Sequence, residues 1–370
     1  MDASPRDVAD GVTVLRPTGP LVPGVERIAV LRANSIGDFV LVLPALQALR
    51  AAYPAARITY LGSSWHPDLL AGRPGPWDRV VALPGPPGIG GEDVTRDSPQ
   101  VREFLAGQRR ERYDLAVQLH GGGGSSNRFV SGLGARVTAG SRDAGAPPLD
   151  RWTPYAHHQH EVLRFLEVVG LVGAVPVELE PSLAVTGADR AAAAEVLGDL
   201  TRPVVAIHPG ATDPRRRWPP ASFAAVARAL AGRGALVALV GSGADDEKAA
   251  AAIAADLPVP PLDLVGRLSL GAMLGVLERC RLLVGNDSGP RHLAAAVGTA
   301  TVGIYWCGNL INAGPITRRR HPVGVSFRTV CPECGADQST DGRCPHDPSF
   351  VADVPVDEIA TAALDLYAAG

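Results

Sequence analysis

Twice in this chain a short run of Ile, Val and Leu leads straight into a polar, glycine-bearing turn and then a helical stretch, and this repeat narrows the fold more than any other feature. Residues 26–33 (ERIAVLRA) are followed by Asn34-Ser35-Ile36-Gly37-Asp38 and an amphipathic segment, 39–52. Val204-Val205-Ala206-Ile207 is followed by His208-Pro209-Gly210-Ala211 and a helical segment, 221–232. Buried-type strands alternating with helices imply a parallel α/β sheet, because parallel neighbours need a crossover between them. Further strands are predicted at 57–62, 114–119, 235–240, 264–266, 282–284 and 300–305. Further helices are predicted at 100–112, 160–170, 244–256, 269–280, 289–298 and 355–368.

With 370 residues the chain is long enough for two such units. The mixed, Pro-bearing stretch 171–187 places the boundary near 175–182. Residues 1–24 read as an irregular arm, and the Pro/Gly-rich segment 84–99 as either a disordered stretch or a functional lid. A net charge of −3, with 20% charged and 46% apolar residues, is globular composition. That acidic balance and the 5% aromatic content disfavour a nucleic-acid partner. No uninterrupted apolar run reaches about 18 residues and the N-terminus lacks a signal-peptide core, so the expectation is a soluble, cytoplasmic protein without a transmembrane segment. Lys248 is the single lysine, so any phosphate must be met by arginine, backbone N–H groups or a metal.

Ligands of open α/β sheets gather at the carboxyl ends of strands, and that is where the informative residues fall. Gly37 lets the chain turn after the first strand. Asp38 reads either as an ordinary acid in the first helical turn or as an acceptor for a substrate hydroxyl proton. After the 204–207 strand, Gly210 precedes Arg215-Arg216-Arg217-Trp218, a set suited to a diphosphate, with Arg217 the preferred contact. Asn286-Asp287-Ser288-Gly289-Pro290-Arg291-His292 joins a strand to a helix whose N-terminus makes an anion site, unless it is simply a capped helix. Asp246 and Glu247 could hold a ribose hydroxyl pair, or could be first-turn acids of a helix. Ser35, Gly37, His120 and the flexible Gly121 are candidates for the acceptor side.

Three of five cysteines cluster. Cys331-Pro-Glu-Cys334 with Cys344-Pro-His346 offers four ligands for a structural zinc, against the alternative of reduced thiols in a surface loop. His157, His158 and His160 precede a helix in a polar segment and read as a solvated or capping cluster rather than as ligands.

Together, the segments IAVLRANSIGDFVLVLPALQALRAAYPAARITYL, IHPGA…RRRWPPASFAAVARAL and VGNDSGPRHLAAAVGTATVGIY resemble glycosyltransferase family 9, the ADP-heptose heptosyltransferase-like proteins, across most of 25–306. The resemblance implies a GT-B fold, two Rossmann-like domains whose parallel sheets face a central cleft. The acceptor-side domain would span 25–178 and the nucleotide-sugar domain 179–354, with helix 355–370 crossing back to complete the first. It implies inverting, metal-independent transfer of heptose or a related sugar to a hydroxyl of a glycan, lipid-linked or small-molecule acceptor. Asp38 would be the base, and Arg217, Asp287, Ser288, Gly289 and His292 the donor contacts. An ADP-sugar is the favoured donor, and peripheral contact with a lipid-linked acceptor is compatible with it. The family often carries lysine where this chain has Arg217. The competing reading is a catalytically inactive sugar- or glycan-binding protein on the same scaffold. A nucleotide-sugar epimerase or dehydrogenase would need a glycine-rich dinucleotide turn after the first strand, which Ala33–Gly37 does not provide.

Overall fold

A computed structural model describes residues 17–84, 98–198, 200–338 and 343–369. The first half runs β1 (Arg27–Leu31), α1 (Ile36–Ala52), β2 (Arg57–Gly62), α2 (His66–Leu70), β3 (Arg79–Ala82), α3 (Pro99–Arg109), β4 (Leu115–Gln118), α4 (Ser126–Gly132), β5 (Val137–Arg142), β6 (Arg151–Pro154) and α5 (Glu161–Gly170). The second runs α6 (Gly187–Leu197), β7 (Val204–His208), a 3₁₀ turn (Pro214–Arg216), α7 (Pro220–Ala231), β8 (Leu236–Leu239), α8 (Ala244–Ala255), β9 (Leu262–Asp263) and α9 (Leu270–Arg279). It continues with β10 (Cys280–Asn286), α10 (Gly289–Ala296), β11 (Ala300–Trp306), α11 (Cys307–Ala313), β12 (Val323–Ser326) and α12 (Val356–Ala369). Residues 85–97 and most of the N-terminal arm lie outside the described residues, and so does the choice between lid and disorder for 84–99.

Each half forms a six-stranded parallel sheet, ordered β3-β2-β1-β4-β5-β6 and β12-β11-β10-β7-β8-β9. Counted within its own half, each sheet therefore has the same doubly wound order, reversing direction between β1 and β4 and between β7 and β10. Crevices at such reversals, outside the carboxyl ends of the strands, are where ligands bind in open α/β sheets. The central strands earn their place by composition. Residues 28–31 of β1 and all of β4 and β7 are buried, as a sheet covered by helices on both faces requires.

The expected amphipathic helix after β1 is instead buried on nearly every side, from Gly37 and Phe39 through Leu46. It lies between its own sheet, α5, and α10 of the second half, so no face is left for polar residues. Its N-terminus is fixed by a capping box in which Ser35 and Asp38 exchange hydrogen bonds. α6 begins with a second capping box, Thr186 with Asp189. It then packs so closely on α9 that a Cβ at Gly275 would overlap the Asp189 carbonyl.

The expected return of the C-terminal helix to the first half does not occur. α12 packs on α7 and on β10, β11 and β12, burying Ile359 and Ala363, with the Arg281 guanidinium 5.1 Å over the Tyr367 ring. Its approach is fixed within the second half by buried Phe350 and by Trp218, whose Nε1 donates to the Val354 carbonyl. The two halves are joined instead by the α1–α10 contact and by a buried ion pair. Arg73, after α2, donates to Asp189 at 2.6 and 3.1 Å. Among the described residues no helix is long and apolar enough to cross a membrane.

Candidate active site

The two sheets present their carboxyl ends to one cleft of about 650 Å³. From the first half it is lined by Ser35–Asp38, Leu41 and Glu161. From the second it is lined by His208, Ala211, Thr212, Arg216, Arg217, Gly241–Asp246 and Asp287–Pro290 with His292. These segments follow β1, β7, β8 and β10, so one strand at the first reversal and both strands at the second contribute to the wall.

Asp38 is both capping residue and cleft wall. Its Oδ2 accepts from the Ser35 N–H at 3.1 Å and the Ser35 hydroxyl at 2.7 Å, and its Oδ1 accepts from Arg32 Nη2 at 2.7 Å. Arg32 is 2% exposed; it also donates to Glu161 at 3.1 Å and to the Leu119 carbonyl, and its guanidinium lies over the Phe165 ring. The carboxylate is thus locked in one rotamer while 31% of it remains exposed to the cleft. Gly37 is required by the opposite half, since a Cβ there would stand 3.0 Å from His292 Cδ2.

Across the cleft, Asp287 and His292 form a buried pair at 3.0 Å, and Arg216 reaches Asp287 at 3.1 Å. Burial would raise the Asp287 pKa, but the His292 hydrogen bond and the Arg291 and Arg216 charges outweigh it and hold the carboxyl below its usual range. Burial and then the Arg291 charge lower the His292 pKa as well, which for a histidine favours the neutral ring. Ser288 occupies the N-cap position of α10 without capping it. Its hydroxyl bonds instead to His208 Nδ1 at 2.8 Å and to the Asn286 carbonyl, so the first turn of α10 meets the cleft with no side-chain cap. Gly289 brings that turn against Ile36 of α1. Asn286, buried, ties the walls together: it accepts from the Trp218 N–H and donates to the Pro209 carbonyl.

Several expectations need correction. The arginine loop sends two side chains to the cleft, not one: Arg217, which pairs with Asp245 at 2.9 Å, and Arg216. Arg215 turns away onto Asp213 and Gln338. Gly210 does not line the cleft; it makes room for Asp246, because a Cβ there would overlap that carboxylate. Asp246 is engaged by the Ser242 N–H at 2.8 Å and by His208 at 3.4 Å, whereas Glu247 is exposed and lies off the cleft near Gly266. His120 and Gly121 are also outside the cleft lining. His120 is buried, its Nδ1 accepts from the Ala33 N–H, and burial with the Arg32 charge lowers its pKa to about 4. It props the turn that carries Asp38. His160 caps α5 and bonds to the Gly314 carbonyl, and His157 is exposed beside Asp143, as expected of a capping or solvated cluster. The roles of Arg32, Glu161, His208, Asn286 and Arg216 were not legible in the sequence, since they rest on partners 38 to 129 positions away, on the Arg32–Asp38 contact six positions apart, or on a choice among three adjacent arginines.

We expect Gly210→Ala to destabilise the fold by about 1–3 kcal/mol, because the added methyl group displaces Asp246 from His208 and Ser242. Denaturant unfolding measures this, and an unchanged midpoint would show that Asp246 can move without consequence.

The model of glycosyltransferase family 9 (heptosyltransferase) matches residues 101–340. The chain belongs to glycosyltransferase family 9. It is 28% identical over 297 residues to lipooligosaccharide heptosyltransferase 2 of Haemophilus influenzae, covering 75% of this chain and 83% of that protein. Its fold is similar to that of the family 9 glycosyl transferase of Veillonella parvula, with a TM-score of 0.76, 20% identity and 93% and 98% of the two chains covered. It is also similar to the E. coli ADP-heptose lps heptosyltransferase II, with a TM-score of 0.69, 21% identity and 93% and 99% covered. Membership and the GT-B arrangement of two parallel sheets about a cleft make this chain a glycosyltransferase, not an inactive scaffold.

The expected metal ligands come together away from the cleft lining. The ligand atoms of Cys331, Cys334, Cys344 and His346 all lie within 4.8 Å of one another, and among the described residues this is the one group of three or more such side chains placed to hold an ion.

Proposed function

We propose that this glycosyltransferase moves heptose from ADP-heptose onto a hydroxyl of a lipooligosaccharide-type core acceptor, with inversion at the anomeric carbon. The observation that carries this reading is the opposition of two helix N-termini across one cleft. α1 presents a fixed, partly exposed carboxylate, and α10 presents an uncapped first turn beside Arg216 and Arg217. The relatives' names, a lipooligosaccharide heptosyltransferase and an ADP-heptose lps heptosyltransferase, support the donor and the acceptor class.

In this mechanism Asp38 takes the proton of the acceptor hydroxyl as its oxygen attacks the anomeric carbon, and the C–O bond to the diphosphate breaks on the opposite face. Such general-base assistance contributes about 10²–10⁴-fold. Arg32 and Ser35 hold Asp38 in the attacking geometry. The charge developing on the departing diphosphate is met by Arg216, Arg217 and the amides of the α10 first turn, donors already oriented in the fold. Asp246, bridged through His208 to Ser288, is the ribose-side candidate. The chemistry proceeds without a catalytic divalent cation. The nucleotide-side carboxylates are already engaged, Asp245 by Arg217, Asp246 by Ser242 and His208, and Asp287 by His292 and Arg216. We assign the Cys331, Cys334, Cys344 and His346 group to a structural zinc.

The test is a panel of ADP, GDP, UDP and CDP with their sugars, followed by thermal shift and donor hydrolysis without added metal. The expected result is selective stabilisation by ADP and slow hydrolysis of ADP-heptose alone. Stabilisation by another nucleotide moves the donor to that base, and stabilisation by none rejects the donor site.

A further inference from the structure

We propose that the Cys331, Cys334, Cys344 and His346 site is a zinc-held clamp that sets the position of the arginine turn, so that metal occupancy controls affinity for the donor diphosphate. This deepens the donor assignment above and rests on it.

The local backbone is built for a tetrahedral thiolate site. Cys331-Pro-Glu-Cys334 is closed by the Gly335 N–H donating to the Cys331 carbonyl and by the Cys331 N–H donating to the Ala336 carbonyl, both at 2.9 Å. Gly335 sits at φ +76°, which only glycine adopts readily. An antiparallel bridge between Val330 and Asp337 fastens the base of this turn. Nδ1 of His346 is buried with no hydrogen-bond partner, a costly state for a ring nitrogen unless it is a ligand. Three thiolates and one imidazole select zinc over harder cations.

Residues between the ligands and just after them grip the turn after β7. Before Cys344, Gln338 Oε1 accepts from Arg215 Nη1 at 3.0 Å. Just after His346, the Ser349 hydroxyl donates to the Arg217 carbonyl at 2.6 Å, and the Phe350 N–H donates to the Arg215 carbonyl at 2.8 Å. Phe350 is fully buried and stacks on Trp306 with centroids 5.6 Å apart. The grip therefore falls on the backbone on either side of Arg216 and on Arg217, the two guanidiniums in the cleft wall. Residues 331–338 and 343–349 have little apolar content of their own, so their placement depends on the ion, and the ion's binding energy goes into positioning the arginines.

The experiment uses the full chain, purified without a metal-binding tag. Elemental analysis should find one zinc per chain. Removing it with a thiol-compatible chelator should speed amide exchange in residues 213–218 and weaken ADP binding at least roughly tenfold. Zn²⁺ should restore both and Mg²⁺ neither. Because Cys344→Ser could unfold the segment, Ser349→Ala is the second variant. It should keep its zinc yet bind ADP roughly fivefold more weakly, the effect of one lost hydrogen bond. Absence of bound zinc, or unchanged exchange in 213–218 on stripping, overturns the clamp. Iron in place of zinc overturns the zinc assignment. Exchange that responds to zinc in a protein that never binds ADP leaves the clamp standing and rejects the donor site.

Discussion

Asp38→Asn is expected to lower the rate of sugar transfer by about 10²–10⁴-fold while leaving ADP affinity within about twofold of the unaltered chain. Asparagine fills the same volume, and its carbonyl oxygen can still accept from Arg32. What it loses is the ability to take a proton from the acceptor. The amide also presents an N–H group where Oδ2 accepted from Ser35, so a cap loss of about 1 kcal/mol accompanies the change. That cost is small against the rate effect and appears in thermal stability, not in turnover. Single-turnover transfer and calorimetry on the same preparation separate the two. Transfer at near the original rate would reduce Asp38 to the capping residue it also is, and would require another base in the first half.

Arg73→Met is expected to destabilise the chain by about 3–5 kcal/mol, because it leaves the buried Asp189 carboxylate without its partner. The pair joins the two halves outside the cleft lining, and Arg73 also donates to the Ala184 carbonyl in the segment between the sheets. Burial would raise the Asp189 pKa, but the Arg73 and Thr186 hydrogen bonds more than offset this and hold it below the usual value. A carboxyl depressed in the folded state stabilises the fold above its unfolded pKa of about 3.9 and loses that contribution as pH falls through the lower folded value. The original chain should therefore show an acid-labile increment below about pH 4 that the variant lacks. Denaturant unfolding at pH 7 and across the acid range measures both effects. A loss under about 1 kcal/mol would mean that the halves are held chiefly by the α1–α10 contact.

The parts of the fold that were legible in the sequence are those whose burial is nearly complete. The strands read at 26–33, 204–207 and 282–284 carry short apolar runs, and the turns after them carry glycine and cap residues, so both the alternation and the location of the site followed. The half-buried strands were missed, and so was β5, which is buried in the sheet but whose VTAGSR sequence carries no apolar run. β3 is partly exposed along its whole length, β6 and β12 lie at sheet edges, and none has a pattern that distinguishes it from loop. α1 misled in the other direction, since a helix wedged between two halves loses the polar face that an isolated layer would leave it. α12 was assigned by resemblance, and its apolar stripe is satisfied by α7 and the second sheet instead. At the site, residue type and position gave Asp38, Arg217 and the Asp287–His292 turn. Arg32, His208 and Asn286 act through hydrogen bonds to residues distant in the sequence, which spacing does not encode. The four metal ligands were the reverse case, because a CxxC turn with a second close pair carries its geometry in its spacing.

A single displacement on a nucleotide-linked heptose leaves its record in the product. The anomeric configuration of the glycoside formed from ADP-heptose and a lipooligosaccharide-type core acceptor is read by NMR after transfer in metal-free buffer with the full chain. The expected glycosidic bond has the configuration opposite to that of the donor and forms at the same rate with and without Mg²⁺. A product that keeps the donor's configuration, or transfer that begins only when Mg²⁺ is added, would rule out metal-independent single displacement in this cleft.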